Sequence, residues 1–159
     1  MSLYEHPNIT KLWGFFEEGP KFYMVMDYCT DGYLYNLIKN FDHKREMTLD
    51  AYGRKIDLIR QICMAIEFLH ENGVMHRDIK PENILLTMEG SVKISDFGWA
   101  RIIHSPSEEL RRTLCGTPLY LAPERIRQSQ YSKSVDLWAI GILTYELLTG
   151  KIPFTIESM

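Results

Sequence analysis

Apolar and polar positions alternate along this chain in segments of different period. Residues 9–16 and 21–28 are dense in aromatic and aliphatic side chains and flank Glu17-Glu18-Gly19-Pro20, a turn signal that predicts an antiparallel hairpin. Asp31-Gly32 breaks the pattern, and over residues 33–41 Leu34, Leu37, Ile38 and Phe41 recur at helical spacing, which predicts a short helix. Residues 42–47 are polar and charged, as in a solvated loop, and Thr48 or Asp50 can cap the helix that follows. In that helix Ile56, Ile59, Ile62, Cys63, Ile66 and Leu69 form one apolar stripe, ended by Asn72-Gly73. Two short apolar runs, 84–86 and 92–94, are joined through Met88-Glu89-Gly90-Ser91 and read as a second hairpin. Residues 105–112 are polar and aperiodic, the pattern of a surface loop, whereas 134–149 is strongly apolar at helical period until Gly150 and Pro153 stop it.

Composition adds limits. With 159 residues, 45% of them apolar and 25% charged, the chain can bury one ordinary core, and the strands and helices read above put its expected class at α+β. A net charge of −3 and a pI near 6.0 supply no basic field, so neither nucleic acid nor an anionic membrane is an expected partner. Cys29, Cys63 and Cys115 are odd in number and lack a Cys-x-x-Cys pair, which argues against a disulfide framework or zinc knuckle and for a reduced intracellular compartment, cytoplasm or nucleus. His6, Pro7 and Asn8 stand where a signal peptide needs an apolar run, and the apolar stretch 137–148 is too short to span a bilayer.

Candidate chemistry lies between the two hairpin strands and the last helix. His76-Arg77-Asp78-Ile79-Lys80-Pro81-Glu82-Asn83 gathers a carboxylate, an ammonium and an amide in one loop, followed by Asp96-Phe97-Gly98 and Ala122-Pro123-Glu124. The predicted 84–94 hairpin sets the loop at one end and Asp96 at the other, so two acidic side chains converge on one cleft. In this order and spacing the three motifs match a catalytic loop, a metal-binding motif and an activation-segment end, and the chain resembles the eukaryotic protein kinases. Lys80-Pro81-Glu82 and Gly116-Thr117-Pro118-Leu119-Tyr120 are similar to the serine/threonine branch, and Leu114-Cys115-Gly116-Thr117 with Trp99 after Gly98 is similar to the Aurora and Polo-like groups.

The resemblance implies ATP and Mg²⁺ as cofactors and a protein substrate carrying a serine or threonine acceptor. It makes Asp78 the base or hydroxyl-orienting group, Lys80 the contact to the transferring phosphate, and Asn83 and Asp96 the metal pair, suited to a hard ion that keeps waters and phosphates in its shell. Met26 corresponds to the residue controlling the back pocket, Asp27 and Cys29 to backbone partners of adenine, and Leu85 to the pocket floor. His76 and Phe97, with Leu12, correspond to an internal packing spine; Asp136 to a buried carboxylate that accepts backbone hydrogens of the loop; and Glu124 to the partner of an arginine further along the domain. Arg77 before Asp78 implies a switch in which a phosphate on the activation segment pairs with that arginine, with Thr113 as the acceptor ahead of Ser105 and Ser107, and a possible regulatory protein. Thr117 is expected to hydrogen-bond to Asp78 and Lys80, and Glu82 to favour a basic residue in the substrate.

Several of these residues also have plain structural uses: Asp78 as a loop cap, Lys80 as a solvated lysine, Asn83 as a turn residue, and the residues around Met26 and Leu85 as strand core. The family's Gly-rich loop, strand lysine and helix glutamate find no counterpart here. The expected organisation is therefore a partial kinase domain, with residues 1–26 a remnant of the small lobe, 27–32 the hinge and 33–159 an incomplete large lobe. Low activity and poor solubility are expected of this polypeptide alone. A noncatalytic binding or regulatory module of the same fold is the alternative, disfavoured because such a module has no need of Asp78, Lys80, Asn83 and Asp96 together.

Overall fold

The computed structural model describes residues 5–41, 48–103 and 117–154, so Ser105, Ser107, Thr113 and Cys115 lie outside the described residues. Strands β1 (Leu12–Glu18) and β2 (Lys21–Met26) pair antiparallel around the Gly19 turn. The pairing follows the predicted hairpin except at its outer ends: the first strand begins at Leu12 rather than residue 9, and the second ends at Met26 rather than residue 28. Residues 8–10 are drawn instead to the second hairpin: the Ile94 N–H donates to Asn8 O at 2.8 Å, and Thr10 donates to Ile94 O through both N–H and Oγ1, at 2.9 and 2.7 Å. That short parallel bridge uses the hydrogen bonds a longer β1 would need.

Helices α1 (Leu34–Asn40) and α2 (Leu49–Glu71) follow. Thr48, not Asp50, caps α2: its Oγ1 accepts the Ala51 N–H at 3.2 Å, while Asp50 sits in the first turn where its charge suits the helix dipole. The buried face of α2 differs in phase from the predicted stripe. Ala51, Leu58, Ile62, Ala65, Ile66 and Leu69 are buried, whereas Ile56 and Cys63 are exposed. The helix instead turns two polar residues inward because each finds partners. Gln61 Oε1 accepts both the Val92 N–H, at 2.9 Å, and Asn8 Nδ2, at 2.8 Å, and the Lys55 ammonium lies over the Phe41 ring, 3.6 Å from its centroid.

Strand β3 (Val74–Met75) pairs antiparallel with β6 (Arg101–Ile102), and β4 (Ile84–Leu86) with β5 (Val92–Ile94), in the register Ile84 to Ile94, Leu85 to Lys93 and Leu86 to Val92. After the short α3 (Pro123–Ile126), α4 (Ser134–Thr149) ends at Gly150, whose φ of 71° supplies the left-handed cap and whose N–H donates to Glu146 O at 2.7 Å. One core joins α1, α2, β4, β5 and α4 through Leu34, Ile62, Ile66, Leu69, Ile84, Ile94, Leu143 and Leu147. The β1–β2 hairpin contributes little to that core: Phe15 and Phe22 stack on each other, Phe16 on Tyr23, and the phenylalanines stay more than half exposed. Among the described residues no helix is long and apolar enough to cross a membrane.

Candidate active site

The loop after β3 is held from below by one carboxylate. Asp136, in the first turn of α4 and 1% exposed, accepts the His76 N–H at 3.0 Å through Oδ2 and the Arg77 N–H at 2.8 Å through Oδ1. Its Oδ2 also lies 2.8 Å from His70 Nε2 of α2. A buried carboxylate needs such donors, and the backbone needs the acceptor just as much, because Arg77 sits at φ 69°, a conformation that costs a non-glycine residue about 1–3 kcal/mol.

His76 is fully buried. Its Nδ1 accepts the Asp78 N–H at 3.3 Å, which leaves Nε2 to donate to Ser95 O at 3.1 Å, so the ring is neutral. Burial depresses its pKa below the ordinary histidine value, an effect that nearby Asp136 and the Ser95 carbonyl only partly oppose. The ring meets Phe97 edge-on at 5.0 Å between centroids.

Asp78 itself is buried, and each carboxylate oxygen has two donors. Oδ2 accepts from Asn83 Nδ2 and lies beside Lys80 Nζ, both at 3.0 Å; Oδ1 accepts the Thr117 N–H at 3.1 Å and its hydroxyl at 3.3 Å. Lys80 Nζ also donates to Thr117 Oγ1 at 2.9 Å. Thr117 thus bridges the carboxylate and the ammonium expected to flank the reacting groups.

Asn83 closes the 3₁₀ turn Pro81–Asn83. Its Nδ2 donates to Asp78 O at 2.8 Å as well as to the carboxylate; two acceptors on one side fix the amide's orientation and leave Oδ1 facing away. Asp96 lies one residue beyond Ser95, whose N–H and Oγ both donate to Asn83 O, at 2.8 and 3.0 Å. The β4–β5 register therefore brings Asn83 and Asp96 to the same end of the hairpin. Asp96 adopts φ 58° and its Oδ1 accepts the Gly98 N–H at 3.1 Å. A Cβ at Gly98 would stand 3.0 Å from that oxygen, so a side chain there would have to displace the Asp96 carboxylate. Asn83 Oδ1 and Asp96 Oδ2 take no hydrogen bond among the described residues, and such hard oxygens are the donor type that fits a magnesium ion keeping water and phosphate in its shell.

The expected base pocket lies where β2 runs into residues 27–33. Met26 pairs with Leu12 at the end of β2, and the Asp27 N–H donates to Lys11 O at 3.0 Å. Cys29 is half-buried, and burial pushes its thiol pKa up. The Leu86 N–H donates to Gly32 O at 2.8 Å and Leu85 bridges Tyr33, which lays this segment along β4 beside the residue expected as the floor.

Further contacts complete the site, partly through residues that sequence reasoning missed, namely Arg125, Tyr131 and Glu146. Arg77 Nε donates to Trp99 O at 2.7 Å and Nη1 to the Tyr131 hydroxyl at 3.0 Å, while Arg125, 4% exposed, donates from Nη1 to Arg77 O at 2.9 Å and lies over the Tyr131 ring. Tyr120 donates to Glu146 of α4. Glu124 receives the Ser134 hydroxyl at 3.5 Å, a weak contact, and its carbonyl accepts the Ser129 N–H. Of the missed residues only Arg125, next to Ala122-Pro123-Glu124, gave any signal in the sequence.

Comparison with known proteins agrees with this geometry. The model of the protein kinase domain family matches residues 1–159. The chain is 42% identical to an Aurora kinase of Eremothecium gossypii over 96% of its own length and 40% of the relative's. It is 45% identical to Aurora kinase C of Mus musculus over 94% of its length and 51% of the relative's. With a cAMP-dependent protein kinase type 3 of Saccharomyces cerevisiae it shares 40% identity over 97% of its length and 36% of the relative's. The chain thus spans about half the length, or less, of these relatives, and it belongs to the protein kinase family.

Proposed function

We propose that the protein transfers a phosphoryl group from ATP to serine or threonine hydroxyls of protein substrates. The observation that carries this reading is the Asp78 carboxylate, buried yet bonded on both oxygens, with Lys80 Nζ at 3.0 Å and Asn83 Nδ2 at 3.0 Å. Mg²⁺ and ATP, when bound, supply the phosphoryl group and neutralise its charge; Asn83 Oδ1 and Asp96 are the residues that would hold the metal. The longest of the four Asp78 contacts is the Thr117 hydroxyl at 3.3 Å. A substrate hydroxyl takes that position, because the Thr117 hydroxyl keeps its bond from Lys80 when it leaves Asp78. Asp78 then orients the incoming hydroxyl and receives its proton, and Lys80 offsets the negative charge that develops beside it.

The Glu82 carboxylate, within the catalytic loop itself, favours a cationic side chain near the acceptor, so a basic residue is the preferred substrate feature. By the same reading Arg77, already tied to Trp99 O and Tyr131, is the receptor for a phosphate on Thr113, and a regulatory protein acts through that segment.

Incubating the full-length gene product with Mg²⁺ and ATP on matched peptides ending in serine, threonine or tyrosine acceptors tests the proposal. Phosphoserine and phosphothreonine are expected; phosphotyrosine alone, or no metal-dependent transfer to any peptide, would overturn it.

A further inference from the structure

A polar cluster outside the catalytic loop ties the two expected walls of the base pocket together. Asp27 directly follows β2, and its carboxylate collects donors from three places: Lys93 Nζ of β5 at 2.8 Å and the Lys11 N–H at 3.1 Å on Oδ2, and Trp13 Nε1 of β1 at 2.9 Å on Oδ1. Burial alone would raise its pKa, but the bonds from Lys93, Lys11 and Trp13 outweigh that and hold it below the usual carboxylate value. Lys93 is the cross-strand partner of Leu85, and directly opposed residues share one face of a sheet. The pair therefore connects the segment that would meet the edge of the base to β5, the strand paired with the one that would carry its floor.

What lies between makes the link consequential. Residues 27–33 are fastened to β4 at their far end, where the Leu86 N–H donates to Gly32 O and the Asp31 N–H to Leu86 O. Tyr28 is 89% exposed and Cys29 is half-buried. The near end is fixed to β5 by the Asp27 to Lys93 contact, whose side chains are 18% and 23% exposed. A contact so sheltered from solvent is held more firmly than a surface ion pair.

We infer that Asp27 and Lys93 are positioning residues that set the gap between the strand segment at residues 27–29 and Leu85, and thereby the affinity for the nucleotide base. This rests on the function proposed above. Neither residue touches the reacting groups at Asp78, so the effect falls on nucleotide binding and not on the transfer step.

The test uses the full-length protein and four variants: Lys93→Met, Asp27→Asn, Lys93→Arg, and the reversal Asp27→Lys with Lys93→Asp. Calorimetry with ADP gives the binding constant, and initial rates give KM for ATP, KM for peptide and kcat. Lys93→Met and Asp27→Asn are expected to weaken ADP binding and raise KM for ATP roughly fivefold, the scale of one sheltered ion pair, with kcat and peptide KM held within twofold. Lys93→Arg restores both nucleotide constants, and the reversal restores them in part. Unchanged ADP affinity in both single variants, with the circular dichroism of the parent, overturns the inference while leaving the proposed function standing. A parent protein that binds no ADP overturns the proposed function, and this inference with it.

Discussion

Replacing Asp136 by alanine removes the acceptor that holds the catalytic loop in place. Its carboxylate serves the N–H groups of His76 and Arg77 at 3.0 and 2.8 Å and pairs with His70 at 2.8 Å, at a site 1% exposed. Each buried donor left without a partner costs about 1–3 kcal/mol, and loss of one member of a buried charged network costs about 3–5 kcal/mol. The Arg77 backbone at φ 69° adds a strain of about 1–3 kcal/mol that is no longer opposed. Asp136→Ala is therefore expected to lower the unfolding free energy by about 3–5 kcal/mol, a large share of the roughly 5–15 kcal/mol that holds a domain folded. Asp136→Asn should lose about half as much, since its amide keeps one acceptor but turns a donor toward a donor. Urea titration followed by tryptophan fluorescence measures the loss, and hydrogen exchange at the His76 and Arg77 amides locates it. A loss below about 1 kcal/mol with both amides still protected would refute the reasoning.

Other outcomes follow from single contacts. Gly98→Ala places a Cβ 3.0 Å from Asp96 Oδ1 and should raise the Mg²⁺ concentration needed for half-maximal transfer; an unchanged metal dependence would show that Asp96 holds no metal. His76 is neutral when folded and its pKa lies below the ordinary histidine value, so the unfolded chain binds the extra proton first. Stability should accordingly be full above about pH 6.5 and fall as the pH drops below it, and His76→Gln should flatten that part of the profile measured by urea midpoints. Glu82→Gln should raise KM for a peptide with arginine near the acceptor roughly tenfold, the scale of a charge-assisted contact, while a peptide lacking arginine is unaffected. Equal effects on both peptides would remove the case for a basic substrate.

The chemistry was legible in sequence because its parts are contiguous. Asp78, Lys80 and Asn83 fall within one loop, and a three-residue β4–β5 hairpin suffices to return Asp96 to Asn83. The start of α4 was legible for a similar reason, since Asp136 is an acid opening an apolar helix. The phase of α2 was not. Its inward residues include Lys55 and Gln61, which hydropathy assigns to solvent, and they are buried because Phe41, Asn8 and Val92 receive them. The short strand-like bridge at residues 8–10 carries no periodicity at all. Arg77, Arg125 and Tyr131 meet across 48 and 54 residues, and nothing local to any of them announces the other two.

The most direct measurement is phosphoryl transfer by Asp78→Asn set beside its affinity for ADP. The asparagine keeps the shape of the side chain and its bonds to Thr117 and Lys80 in part, but it cannot receive a proton. Transfer to a serine peptide is expected to fall by roughly 10²–10⁴, the scale of a general base, while ADP binds as tightly as to the parent protein. Transfer at the parent rate with unchanged ADP affinity would contradict the role given to Asp78 and, with it, the proposed phosphoryl chemistry of this loop.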